Sequence, residues 1–260
     1  MPDFDTSVPH IARVYDYWLG GKDNFPADRA MGERTIAAYP NLVHSVRANR
    51  AFLARTVRYL AGQAGIRQFL DIGTGIPTAN NTHEVAQRVA PECRIVYVDH
   101  DPVVLAHAKD LLTSTPEGAC AYLDGDLRDP AAILAAAADT LDFGQPVAVM
   151  LVTVVHFIGD DAEASAIINR LMGACVPGSF LTISHVASDI DAEQIAEMVR
   201  RLNETTAEKT TTRDRAGVTR LFDGLELVEP GVIRAAEWRP DTAAEAASPA
   251  ALWAGVARKP

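Results

Sequence analysis

The chain has 260 residues, 48% of them hydrophobic and 22% charged, with a formal net charge of −10. Length and apolar content suit one large domain, or one domain plus a small addition, and the acidic balance excludes a general nucleic-acid binder, which needs a cationic footprint for phosphates. No apolar run is long enough to span a bilayer, the start lacks the basic and apolar regions of an export signal, and Cys93, Cys120 and Cys175 form no CxxC pair, so a reducing cytoplasmic setting is expected.

In chain order, residues 10–44 form an N-terminal appendage of helical pieces around ARVYDYWLGGKDNFPADR, hinged at Gly20-Gly21. Ser45 is expected to cap a helix running to about Ala61, with Leu53, Val57 and Leu60 on one face. QFLDI is the first strand. Asn81 with Glu84 three residues later reads as a capping box for a helix through Val89, followed by the strand RIVYVD. Asp101-Pro102 opens the helix VVLAHAKDLL, with proline at its first position. Next come the strand CAYLD, an alanine-rich helix near 130–139, and the strand VAVMLVTVV. Asp160 and Glu163 suggest a second capping box for a helix through Cys175, and Pro177-Gly178 turns into SFLTISHV. Helices are expected near 191–204 and 213–221, then the strands LELVEPGVI and LWAGVAR, with DTAAEAASP between them as a flexible loop.

Alternating strands and helices predict a doubly wound α/β fold with a mostly parallel sheet of seven strands and an antiparallel final pair. The two parts are a helical extension or lid over 1–44 and a Rossmann-like domain over 45–260.

QFLDIGTGIPT carries the chemistry. An apolar strand ends in Asp71 and passes into a loop with Gly73, Thr74 and Gly75, where a ligand can approach bare backbone. A carboxylate two residues before Gly73 would repel a dinucleotide pyrophosphate and attract a cationic amino acid tail, which favours S-adenosylmethionine over NAD. The NAD pattern GxGxxG would also need glycine where Thr78 stands. HEVAQ has Gln87 in place of the second histidine of a zinc motif, and no metal site is expected. The first 60 residues hold eight Lys and Arg against six Asp and Glu. Surface scatter explains this excess; a cationic face for an anionic small substrate is the other reading.

DIGTG, YVDHD and GDL resemble the successive cofactor motifs of class I S-adenosylmethionine-dependent methyltransferases. More narrowly, YDYWLGGKDNFPADR, the run from NRAFLARTVRYL to DIGTGIPT, NNTHEVAQRVAPE, VYVDHDPVVLAHAKDLL, DLRDP, FDGLELVEPGV and EWRPD resemble a family of predicted S-adenosyl methyltransferases long treated as a domain of unknown function. The resemblance spans nearly the whole chain and implies the fold and the cofactor but no substrate. It implies that backbone at Gly73 and Gly75 meets the methionine part, that Asp71 holds its ammonium through water, and that Asp99 accepts from the ribose hydroxyls. It further implies that His100 lines the adenine, and that Asp126 with the Leu127 backbone reads the adenine amino edge. Asp101 is read as a helix cap and Asp124 as a turn residue. The usual third glycine is replaced by Pro77, which together with the Asn81 cap predicts a late helix start after an extended loop.

Methyl transfer relies on alignment and need not leave a readable base. His156 after the fourth strand is a catalytic candidate, while His185 reads as structural. Tyr15, Tyr17, Trp18 and Asn24 form either a lid over cofactor or substrate or an aromatic seam on the sheet. The function expected is a cytoplasmic methyltransferase acting on a small molecule, anionic or aromatic. A non-catalytic S-adenosylmethionine-binding regulator and an NAD-dependent oxidoreductase are the alternatives.

Overall fold

The apolar runs of the sequence pair into one sheet. A computed structural model describes residues 5–77, 79–111 and 113–260. Three helices, α1 (Ile11–Leu19), α2 (Pro26–Ala38) and α3 (Leu42–Gly62), precede β1 (Gln68–Ile72). Strands and helices then alternate: α4 (Thr82–Val89), β2 (Arg94–Asp99), α5 (Pro102–Leu111), β3 (Ala119–Asp124), α6 (Pro130–Ala137), β4 (Ala148–Val152), α7 (Asp161–Ala174) and β5 (Phe180–Val186). The chain ends with α8 (Ala192–Thr205), α9 (Arg215–Arg220), β6 (Glu226–Leu227), β7 (Ile233–Arg234), α10 (Ala243–Ala246) and β8 (Leu252–Arg258).

The strand order is β3-β2-β1-β4-β5-β8-β6, with β7 also paired to β8. Strands β1 to β5 are mutually parallel, and β8 runs antiparallel against β5 from Phe180↔Arg258 to Val186↔Leu252. The chain crosses between β1 and β4 at the centre of the sheet, and the crevice outside the carboxyl ends of those strands is where such folds bind ligands. The sheet therefore has eight strands, one more than expected. LELVEPGVI does not run straight: a turn closed by the Gly231 N–H on the Val228 carbonyl at 2.9 Å divides it into β6 and β7.

Side-chain alternation along the strands sorts the core into two layers. Leu70 and Ile72 face α6 and α7 with Val96, Val149, Leu151 and Leu181. Phe69 faces the α3–α4 side with Phe52, Ile95, Met150 and the fully buried Trp238, and Asp71, two residues on, points the same way. A third cluster joins the N-terminal helices to α8 through Val14, Trp18, Met31, Val46, Ile195, Met198 and Leu202.

Most helix starts follow the expected chemistry. Glu84 accepts the Asn81 N–H at 3.2 Å, Asp101 accepts the Val103 N–H at 2.8 Å, and Asp160 accepts the Glu163 N–H at 2.8 Å. Ser45 is a correction: α3 opens at Leu42, crossing position 44, and the buried Ser45 hydroxyl instead accepts the Ala251 N–H at 3.1 Å. The segment DTAAEAASP is not a plain loop, because Thr242 caps the single turn of α10. The expected end of the fifth helix at Leu112 lies outside the described residues.

Candidate functional site

The glycine loop is built from β1 outward. Both Gly73 (φ 74°) and Gly75 (φ 65°) lie in the left-handed region. A Cβ on Gly73 would fall 2.3 Å from Val154 Cγ2, so that position is closed by packing. A Cβ on Gly75 would meet nothing within 4 Å: its backbone faces open space. The loop is anchored by the Gly73 N–H on the Val98 carbonyl at 2.8 Å and by the Gly75 N–H on Asp99 Oδ2 at 2.8 Å. Tyr122, stacked on Tyr97, holds the Thr74 hydroxyl at 3.2 Å and braces the loop from beneath. Helix α4 starts at Thr82 after an extended stretch, as Pro77 and Asn81 suggested; Thr78 itself lies outside the described residues.

Carboxylates close the ends of β1 and β2. Asp71 is only 4% exposed, and burial holds its pKa at about 6 despite a 2.5 Å hydrogen bond from the Thr82 hydroxyl. Burial likewise raises the pKa of Asp99, against hydrogen bonds from the N–H groups of Asp101 (3.0 Å) and Gly75. Each Asp99 oxygen keeps a second lone pair for further donors. The donor set thus fits a ligand with a cationic tail and a pair of hydroxyls, and the open side of Gly75 gives its chain room.

His100 lies half-exposed beside Asp99 and pairs with Glu208 at 3.1 Å, which raises its pKa to about 9. Glu208 comes from the segment after α8 and also lies 3.8 Å from Arg128. The Asp126 carboxylate accepts the Arg128 N–H at 2.9 Å, and Leu127 is buried at the wall. All eight residues expected at the cofactor thus line one cleft: Asp71, Gly73, Thr74, Gly75, Asp99, His100, Asp126 and Leu127.

The four aromatic and amide residues of the N-terminal segment divide. Tyr15 and Trp18 line the cleft. Tyr17 packs against Gly32, and Asn24 donates to Asp16 Oδ2 at 2.8 Å and to the Gly21 carbonyl at 3.1 Å, so both belong to the α1–α2 corner and not to the cleft wall. Gly20-Gly21 ends α1 through N–H bonds to the Tyr17 and Asp16 carbonyls, both 2.9 Å, and a Cβ on Gly21 would overlap the Asp16 carboxylate. That turn is packed in place and not a free hinge.

His156 lies in a short 3-10 turn after β4, lines the cleft and is 7% exposed. Burial first, then His185 and Arg213, hold its pKa well below the ordinary imidazole value. His185 is structural, as read: its ring bridges the Val186 carbonyl (3.0 Å) and Arg213 (2.8 Å), and burial depresses its pKa to about 4. Arg213 can only donate, so His185 Nε2 is the acceptor and Nδ1 carries the proton.

Asn49, Thr153 and Arg50 are among the wall residues that sequence reading missed. Asn49 is 2% exposed and its amide donates to Tyr15 (3.0 Å) and Thr153 (3.1 Å) while accepting from Ser184 (2.6 Å). Thr153, at the end of β4, holds φ at 54°, an unusual conformation for threonine at a cleft. Arg50 donates to the Ala79 and Asn80 carbonyls at 3.2 Å and faces the cleft near Asp71. No local sequence signal marks Asn49 or Arg50, because their partners lie far along the chain.

The model of a family described as S-adenosyl methyltransferase matches residues 1–260. Among solved structures, a DUF574 family protein from Streptomyces avermitilis MA-4680 is 45% identical, with a TM-score of 0.95 over 98% of this chain and 99% of that one. A provisionally named methyltransferase from Thermobifida fusca YX is 42% identical, with a TM-score of 0.90 over 99% and 97% of the two chains. TnmH, 19% identical with a TM-score of 0.53 over 88% of this chain and 61% of its own, shares the fold. No curated protein matches the chain. With a family model spanning every residue and a glycine-lined, acid-tipped cleft at the sheet's crossover, the chain belongs to the S-adenosyl methyltransferase family, has the Rossmann-like methyltransferase fold, and uses S-adenosylmethionine as its cofactor.

Proposed function

We propose that this methyltransferase acts on a small-molecule acceptor held between α1, α3 and α8, beside the cofactor. The observation that carries this reading is the continuity of the cleft: one cleft is lined both by the glycine loop and Asp99 and by the apolar side chains of Trp18, Leu42, Val46, Ile195 and Met198. A chamber walled by packed helices admits a small molecule more readily than a folded protein or a duplex.

The residues take distinct roles. Asp99 accepts from both ribose hydroxyls, since charge-assisted bonds to a fixed carboxylate give position as well as affinity. Gly75, open on its Cβ side, admits the methionine chain, and Asp71 balances its ammonium. Arg50 lies where a cation meets the methionine carboxylate. His100, Asp126 and Leu127 surround the adenine. Bound S-adenosylmethionine supplies an electrophilic methyl group. The chain's own contribution is alignment, through Asn49, Tyr15 and Thr153 at the junction of the two halves, and a proton acceptor, His156.

Turnover tests the reading. Purified protein and S-adenosylmethionine are incubated with separated small-molecule, protein and nucleic-acid fractions of a cell extract, and release of S-adenosylhomocysteine is followed. Release with the small-molecule fraction is expected. Release only with the protein or nucleic-acid fraction refutes the acceptor class, and no release with any fraction favours a non-catalytic binding role.

A further inference from the structure

The segment after α8 runs along the mouth of the cofactor cleft and touches the exits of three strands. Glu208 pairs with His100 Nε2, just past β2, at 3.1 Å, and lies 3.8 Å from Arg128, past β3. The Thr211 N–H donates to the His156 carbonyl, past β4, at 2.7 Å. The segment is braced from α8: Lys209 Nζ donates to the Asn203 and Thr206 carbonyls at 2.6 and 2.8 Å, and Asn203 Oδ1 accepts the Thr210 N–H at 2.8 Å. Helix α8 itself packs on the N-terminal helices through Ile195, Met198 and Leu202. Glu208 thus reaches the rim from a braced support, and both it and His100 line the cleft.

His100 directly follows Asp99, the carboxylate assigned to the ribose hydroxyls. Charged and titratable groups reach the pair from each neighbouring element. Asp99 and Asp101 flank His100, His10 at the start of α1 lies 2.7 Å from Asp101, and Asp126 with Arg128 comes from the turn after β3. Arg128 is engaged by Asp126 at 3.3 Å and by the Phe157 carbonyl at 3.0 Å, so His100 is the nearer cation for Glu208. The Glu208 hydrogen bond leads the contacts that hold His100 protonated up to about 9. Asp99 is 8% exposed, and a nucleoside laid over it strips away its remaining water. A cation on the adjacent residue offsets that cost.

We propose that Glu208 is a positioning residue for S-adenosylmethionine, acting through an ion pair with His100 that supports the Asp99 carboxylate when the ribose covers it. This deepens the cofactor-site reading above and rests on the assignment of Asp99 to the ribose. The same ion pair ties the α8 side of the cleft to the loop that grips the ligand. A Glu208→Gln variant can still accept the imidazole N–H but carries no charge. Its histidine therefore returns toward the ordinary range and is largely neutral at about pH 8.

Calorimetric titration of S-adenosylhomocysteine into the full chain, from about pH 5.5 to about pH 8.5, tests this in wild type, Glu208→Gln, His100→Gln and the double variant. Near the acid end His100 is charged with or without Glu208, so wild type and Glu208→Gln should bind almost equally. Protonation of Asp71 weakens both alike there and cancels in their ratio. By about pH 8.5 the variant should bind about three- to fivefold more weakly, the scale of a partly exposed ion pair. In the His100→Gln background the Glu208 substitution should change nothing. A ratio of wild-type to Glu208→Gln affinity that is the same at every pH, or a Glu208 effect that persists without His100, would overturn the proposal. Failure of the wild type to bind, or unchanged affinity in Asp99→Ala, instead refutes the cofactor site itself. Weakened binding in Asp99→Ala beside a pH-independent Glu208→Gln ratio refutes only the role of Glu208.

Discussion

At the cofactor end of the cleft, buried carboxylates are held by backbone N–H groups and a threonine, and Gly75 is open on its Cβ side. At the end proposed for the acceptor, the lining is largely apolar, with Leu42, Val46, Ile195 and Met198 among its residues. The first arrangement sets polar groups in place for a ligand; the second offers shape and apolar contact. The contrast teaches where specificity resides: a prebuilt end recognises a fixed cofactor, and a sparse end selects an acceptor by what it excludes.

The two loop glycines break this comparison most sharply. Gly73→Ala combines left-handed backbone strain with overlap on Val154 and should destabilise the fold by ~2–5 kcal/mol, read by chemical denaturation. Asp71→Asn sharpens it in the opposite direction. A carboxyl held at about 6, when its ordinary value is 3.8, binds its proton more tightly folded than unfolded. Stability therefore falls as pH rises from about 3.8 through about 6, and removing the charge should stabilise the cofactor-free protein by ~1–3 kcal/mol at neutral pH. The same variant should lose at least tenfold in S-adenosylhomocysteine affinity. In the wild type that affinity should fall as pH drops below about 6, where Asp71 is protonated. An unchanged melting temperature together with unchanged affinity removes Asp71 from the site.

Gly75→Ala has strain without a clash, so it should cost ~1–2 kcal/mol of stability yet weaken cofactor binding far more than that loss implies. The smallest effect belongs to the His100–Glu208 pair. Its folded-state pKa is raised to about 9, so its contribution is complete below the ordinary imidazole value and lost as pH rises through about 9. The histidine is substantially exposed, and His100→Gln should change stability by only ~0–1 kcal/mol. An NMR titration of the His100 ring should show the raised midpoint in the wild type and an ordinary one in Glu208→Gln.

Local chemistry made much of the fold legible. The five parallel strands were visible as apolar runs, and Asn81–Glu84, Asp101 and Asp160 announced their helices through side chains acting within one turn. The acid-tipped glycine loop was legible for the same reason. What escaped depends on residues distant in sequence. Ser45 has the chemistry of a cap, but its hydroxyl serves Ala251. Glu208 closes on His100 from the segment after α8. Asn49 ties α1, β4 and β5 through single hydrogen bonds that no spacing encodes. The less favoured reading of a cationic N-terminal face also loses ground: Arg13, Arg55 and Arg58 are tied to Asp28, Glu245 and Asp241. An expected hinge became a packed turn because Gly21 sits against Asp16, a contact that sequence alone does not reveal.

The most direct measurement is calorimetric titration of S-adenosylhomocysteine into the wild type and into Asp99→Ala. Losing two charge-assisted hydrogen bonds at the tip of β2 should weaken binding at least tenfold while the variant stays folded. Equal affinity in the two proteins, or no binding to the wild type, would contradict a cofactor site at the tips of β1 and β2.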